Sequence, residues 1–157
     1  MKSDFKQKIK SAFYKDFFLR TKNEIEDSDD QPNSVLTKIY TDILYDNGTI
    51  SDYELTHFEK EISKDTNIKI SGYSFSEDDL RLDLFITHYD AANEIKKIES
   101  RKILELIESA KNFYLQSTKK LYEKMNAKED AFDISKDIFK NSKDISTIRI
   151  FVFTNCE

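Results

Sequence analysis

Three short stretches of this chain alternate apolar and polar residues with a period of two, while the segments around them repeat at helical spacing. That contrast constrains the fold more than any other feature, because the two periods belong to different backbones. In the first stretch, Ile68 and Ile70 alternate with lysines before Gly72 shifts the pattern to Tyr73 and Phe75, which predicts a bulge at Gly72. In the second, Leu80, Leu82, Leu84 and Ile86 share one face and Phe85 and Tyr89 the other, with Glu77 to Asp79 as the turn between the two runs. The third closes the chain as STIRIFVFTN, with Ile148, Ile150 and Val152 on one side and Phe151 and Phe153 on the other. A strand apolar on both faces predicts an interior position in the sheet.

Helical spacing accounts for the rest. Phe5, Ile9, Phe13 and Phe17, widened by Tyr14 and Phe18, predict a helix from Ser3 to about Asn23. Pro32 and Ser34 open a second, ending near Gly48, with Val35, Leu36, Ile39, Tyr40 and Ile43 inward. SDYE, from Ser51 to Glu54, has capping-box spacing and predicts a third helix carrying Leu55, Phe58 and Ile62. A long helix is expected from near Asn93 to about Met125, and a shorter one from Glu129 to Asn141. The long helix carries a second apolar stripe, Leu104, Leu115 and Tyr122, expected to meet the N-terminal helices or a second chain. The sum is an α+β fold: three N-terminal helices, a β-hairpin, a long and a shorter helix, then a C-terminal interior strand. At 157 residues it forms a single domain.

Composition narrows the function. A net charge of −5 repels polyanions, so nucleic acid is disfavoured as a partner of this domain alone. Two glycines leave no phosphate-cradling loop, and no apolar run approaches the roughly 18 residues of a membrane span. MKSDFKQKIKSAFYKDFF lacks a signal-peptide core, which sets the cytoplasm as the expected location. The two histidines and the sole cysteine, Cys156, are scattered, which disfavours a structural zinc site. DNGTISDYELTHF imitates the second half of a calcium loop, but its first positions would fall on Ile43 and Tyr45, which offer no carboxylate. Asp83, in mid-strand, is the one acidic residue placed like a catalytic group, with Glu77 and Asp79 as neighbours in a metal-dependent nuclease reading.

IKISGYSFSEDDLRLDLFITHYD, the preceding DNGTISDYEL, the long helix and the closing STIRIFVFTN occur in this order. Together they resemble the N-terminal part of the abortive-infection phage-resistance (AIPR) family of bacterial proteins, over about Leu36 to Asn155. The resemblance implies that residues 1–157 are the N-terminal part of a longer protein, and that the domain is similar to restriction-endonuclease-like (PD-(D/E)XK) domains. Such sites place an aspartate on one strand and an acid or amide, one residue, then lysine on the next. Laid on this hairpin, the pattern puts Ser71, Ile86 and His88 at those positions, and none supplies the required group. A register that uses Asp83 puts Phe85 at the lysine. The favoured reading is therefore a non-catalytic domain of an anti-phage protein, serving protein contact or sensing without a cofactor or a membrane. Its partner would be another protein, the remaining domains of the same protein, or a second copy. The competing readings are a magnesium-dependent nuclease centred on Asp83, and a helical interaction module unrelated to defence.

Overall fold

The structure is a computed structural model that describes residues 2–78 and 80–157 and, within the first helix, side chains from residue 12 onward. Its elements run α1 (Lys2–Glu26), α2 (Pro32–Asp46), β1 (Glu54–Ser63), β2 (Thr66–Ser76), β3 (Arg81–His88), α3 (Ser100–Ser117), a 3-10 turn (Leu121–Lys124), α4 (Phe132–Asn141) and β4 (Thr147–Thr154). The four strands form one mixed sheet in the order β1-β2-β3-β4. β1, β2 and β3 are an antiparallel meander, and β4 pairs parallel to β3 after crossing over through α3 and α4. This α+β architecture agrees with the three alternating stretches.

Helices cover both faces of the sheet. On one face lie Ile68, Ile70, Leu82, Leu84 and Ile86, packed with α3 and α4 through Leu106, Phe113, Ile134 and Ile138. On the other, α2 seals Phe85 and Phe153, and its Tyr40 ring stacks on Phe153 at 4.8 Å between centroids. α1 packs on α2 through Phe18, Thr21 and Ile25. Phe13 of the expected α1 stripe is exposed, and the side chains of Phe5 and Ile9 lie outside the described residues. On α2 the buried row includes Thr37 and Thr41, whose hydroxyls bond back to Asn33 and Thr37 carbonyls one turn earlier, while Ile43 is exposed.

Three sequence expectations are corrected. The segment expected as a third N-terminal helix is β1, so two helices precede the sheet. Leu55, Phe58 and Ile62 are compatible with helical spacing, but the ladder to β2 wins. Thr56 and Phe58 are buried while their neighbours are open, and Ser63 pairs Thr66 across a tight Lys64-Asp65 turn. The closing strand is at the edge of the sheet, not inside it. Both its faces are apolar because both helical layers reach it: Ile150 and Val152 meet the α3 side, Phe151 and Phe153 the α2 side.

The long helix is shorter than expected at both ends. Within residues 89–99, backbone groups bond to the C-terminal segment in place of a helical turn, with Glu157 N–H donating to the Lys96 carbonyl and Ile98 N–H to the Glu157 carbonyl. At the other end Lys120 adopts a left-handed backbone, φ 62°, which turns Leu121 into the core.

The irregularity expected at Gly72 is present as a change of facing on β2, while the extra residue of the adjoining β1–β2 pairing lies on β1, where Thr56 and His57 stand opposite Ser71. Ile68, Ile70 and Tyr73 all join the α3-side cluster, so facing changes parity between Ile70 and Tyr73. The β1–β2 register shifts at the same place, between Leu55 and Phe58. A Cβ at Gly72 would lie 2.8 Å from the Glu54 carbonyl oxygen and 3.1 Å from the Phe85 ring. Both obstacles are fixed, one by the ladder and one by the core. Gly72→Ala is therefore expected to cost about 1–3 kcal/mol, the usual range for overpacking, read from the urea unfolding midpoint.

Candidate functional site

Asp83, the sequence's candidate acid, faces α2 from mid-β3 and is 1% exposed. Directly across the parallel ladder its partner is Arg149 of β4. The guanidinium grips the carboxylate at both oxygens, Nε to Oδ1 at 2.6 Å and Nη2 to Oδ2 at 2.7 Å. Nη2 also donates to the Thr49 carbonyl at 2.8 Å, just beyond the end of α2, and the guanidinium sits 5.1 Å over the Phe151 ring. Arg81 Nε adds a longer contact to Oδ2 at 3.6 Å. The carboxylate hydrogen bond pushes Arg149 above its ordinary pKa, holding it fully charged. Asp83 is thus occupied within the fold by a bidentate cation.

Of the other nuclease-pattern positions, Ser71 and Ile86 are equally structural. Ser71 is buried, and its hydroxyl accepts the Thr87 N–H at 3.0 Å. Thr87 in turn shares a 2.7 Å hydroxyl contact with Thr37 of α2, so this polar seam ties helix to sheet. Ile86 is fully buried in the α3-side core. Glu77 is not beside Asp83: its charge acts on Asp137 of α4, whose pKa is raised first by burial and further by acidic neighbours including Glu77. Asp79 lies outside the described residues. The calcium-like stretch resolves into a helix end, with Gly48 at φ 73° after α2 and Glu54 accepting from the Tyr73 hydroxyl at 2.7 Å.

The second stripe of the long helix divides. Tyr122 is not on α3 but in the following turn, where its ring packs against Phe132 and Phe139. Leu104 is 62% and Leu115 40% exposed, and the N-terminal helices expected to cover them pack on the opposite side of the sheet.

His88 closes β3, and the fold brings two other chemically active side chains to it. The donor atoms of His88, Asp90 and Cys156 all lie within 4.8 Å of one another. Burial and the nearby Lys102 charge lower the His88 pKa, favouring neutral imidazole, with Asp90 opposing them. Asp90 is held in place by Asn155: Asp90 N–H donates to Asn155 Oδ1 at 2.8 Å, and Asn155 Nδ2 donates to the Asp90 carbonyl at 2.8 Å. Sequence spacing gave no hint of this meeting, because 66 positions separate Asp90 from Cys156 and only the parallel β3–β4 pairing closes that gap. The same is true of Arg149, which no local pattern linked to Asp83.

Residues 36–157 match the family model of the abortive infection phage resistance protein N-terminal domain. The chain belongs to that family, which is one of abortive-infection phage-resistance proteins. No curated protein and no solved structure matches it. No helix among the described residues is long and apolar enough to cross a membrane.

Removing either member of the Asp83–Arg149 pair leaves the other without its bidentate partner, in a fully buried setting for Asp83 and a one-third exposed one for Arg149. Asp83→Ala leaves a guanidinium that is one-third exposed and keeps its Thr49 bond, so it is expected to cost about 1–3 kcal/mol in chemical denaturation. Arg149→Ala should cost more, roughly 3 kcal/mol, because the buried Asp83 carboxylate then keeps only the 3.6 Å Arg81 contact. The double variant should lose clearly less than the sum of the two, the signature of a direct interaction.

Proposed function

We propose that this domain is a non-catalytic module of its phage-resistance protein, serving protein contact or sensing and not the cutting of nucleic acid. The observation that carries the reading is the engagement of Asp83. A nuclease carboxylate must offer free lone pairs to a hard cation, whereas both Asp83 oxygens accept from Arg149. Ser71 and Ile86 supply no carboxylate beside it, and the −5 net charge works against a polyanionic substrate. The proposal includes a cytoplasmic location, which suits a chain whose sole cysteine is a free thiol.

The contact surface in this reading is the exposed face of α3 at Leu104 and Leu115. Its occupant is the remainder of the same protein, since the family is defined as the N-terminal domain of a larger one. Docking there would bury two large aliphatic side chains that are otherwise left in water.

Two measurements test the proposal. Incubated with DNA or RNA in magnesium or manganese, the purified domain should leave both intact. Asp83→Leu combined with Arg149→Met replaces the ion pair with apolar side chains of similar size, a change that buried pairs commonly tolerate. In the longer protein, that pair of substitutions should preserve phage protection, whereas Leu104→Asp with Leu115→Asp should reduce it without lowering the domain's melting temperature. Metal-dependent cleavage that disappears in the Asp83→Leu/Arg149→Met variant, still folded by circular dichroism, would establish a nuclease instead.

A further inference from the structure

We propose that His88, Asp90 and Cys156 form a binding site for a thiophilic divalent transition-metal ion of the zinc class. The site shares His88 with the nuclease pattern but uses neither Ser71, Ile86 nor Asp83, and it does not depend on the function proposed above.

The donor set selects the ion. An imidazole nitrogen, a carboxylate oxygen and a thiolate sulfur are the three side-chain donors that zinc accepts. Magnesium and calcium take oxygen ligands and gain nothing from sulfur. With the thiol deprotonated, the set carries two negative charges and one neutral imidazole, which balances a divalent cation. Three protein ligands leave one tetrahedral position for water.

The backbone brings the donors together before any ion arrives. His88 ends β3 and Cys156 follows β4, so the site sits at the carboxyl ends of two adjacent parallel strands. The paired Asp90–Asn155 hydrogen bonds fix the two segments side by side. The Glu157–Lys96 and Ile98–Glu157 backbone bonds extend the clasp beyond the site. All three side chains are half-buried, so they lie within reach of solvent and keep room to rotate. Their donors lie within 4.8 Å of one another, and bonds of about 2.0–2.3 Å to one ion would draw them somewhat closer. Asp90 Oδ1 accepts the Ala92 N–H and meets Lys96 at 3.5 Å, and a carboxylate has lone pairs beyond these two contacts with which to ligate an ion. Lys96 is more than half exposed and its ion pair is a surface one, so a metal displaces it at small cost.

Cobalt(II) titrated into the purified, reduced and chelator-treated chain reads the proposal through the thiolate-to-cobalt charge-transfer band. The expected result is saturation at one equivalent, with the ion displaced by zinc and not by magnesium. Cys156→Ser should abolish the band. His88→Ala and Asp90→Asn should each weaken zinc binding at least about tenfold, a change of 1.4 kcal/mol or more. His57→Ala, the other histidine, should leave binding unchanged. Zinc should also protect Cys156 from alkylation in the parent chain and not in folded His88→Ala. Absence of saturable binding, a band that survives Cys156→Ser, or affinity indifferent to His88 and Asp90 would overturn the site.

Discussion

The pairing of Asp83 with Arg149 is the constraint on which the sheet's organisation depends. β3 and β4 are joined by no hairpin; a long crossover through α3 and α4 separates them, so turn geometry cannot set their register. A buried carboxylate that requires its cation directly opposite does set it. Sliding β4 by one residue would carry Arg149 to the α3 side and leave the buried Asp83 with only the longer Arg81 contact. The same guanidinium reaches the Thr49 carbonyl, so the register of β4 and the docking of the α2 terminus are fixed together. Apolar residues on both faces of β4 supply burial but tolerate slippage; the ion pair supplies the uniqueness.

This arrangement also separates the two ends of the strands by role. Toward the middle of the sheet, polar side chains are satisfied inside the fold: Ser71 by Thr87, Thr87 by Thr37, Asp83 by Arg149. At the carboxyl ends of β3 and β4, His88, Asp90 and Cys156 converge half-exposed. The nuclease-like pattern pointed to the hairpin; the chemistry that remains accessible lies at the strand ends beside it. Sequence similarity to a catalytic architecture and availability of its groups are different properties, and here they diverge.

What the sequence revealed was governed by periodicity. β2, β3 and β4, the parity change at Gly72 and the short α4 all follow from patterns within ten or so residues. β1 was misread because Leu55, Phe58 and Ile62 fit helical spacing, and the evidence for a strand, the Lys64-Asp65 turn and the partner β2, lies outside the segment. The interior placement of β4 failed for a related reason: an edge strand sandwiched between two helical layers has the same apolar pattern as a central one. The ends of α3 were set by distant residues, Glu157 at one side and the packing of Leu121 at the other. Asp83 was visible as unusual, but its partner was not, because a parallel pairing across a long crossover leaves no trace in local sequence.

The edge position of β4 has a consequence for how the polypeptide matures during synthesis. Helices and the β1–β2–β3 meander are assembled from neighbouring segments and can form as they leave the ribosome. The sheet still lacks its fourth strand at that stage, and Asp83 still lacks the only arginine on the neighbouring strand, 66 positions further along the chain. A nascent chain stalled before Arg149 therefore exposes the open side of β3, an apolar strand whose Asp83 carboxylate has only the longer Arg81 contact. The carboxylate keeps that side hydrated and discourages pairing with other nascent chains until β4 arrives. Completion of the fold is thereby tied to the emergence of its last strand.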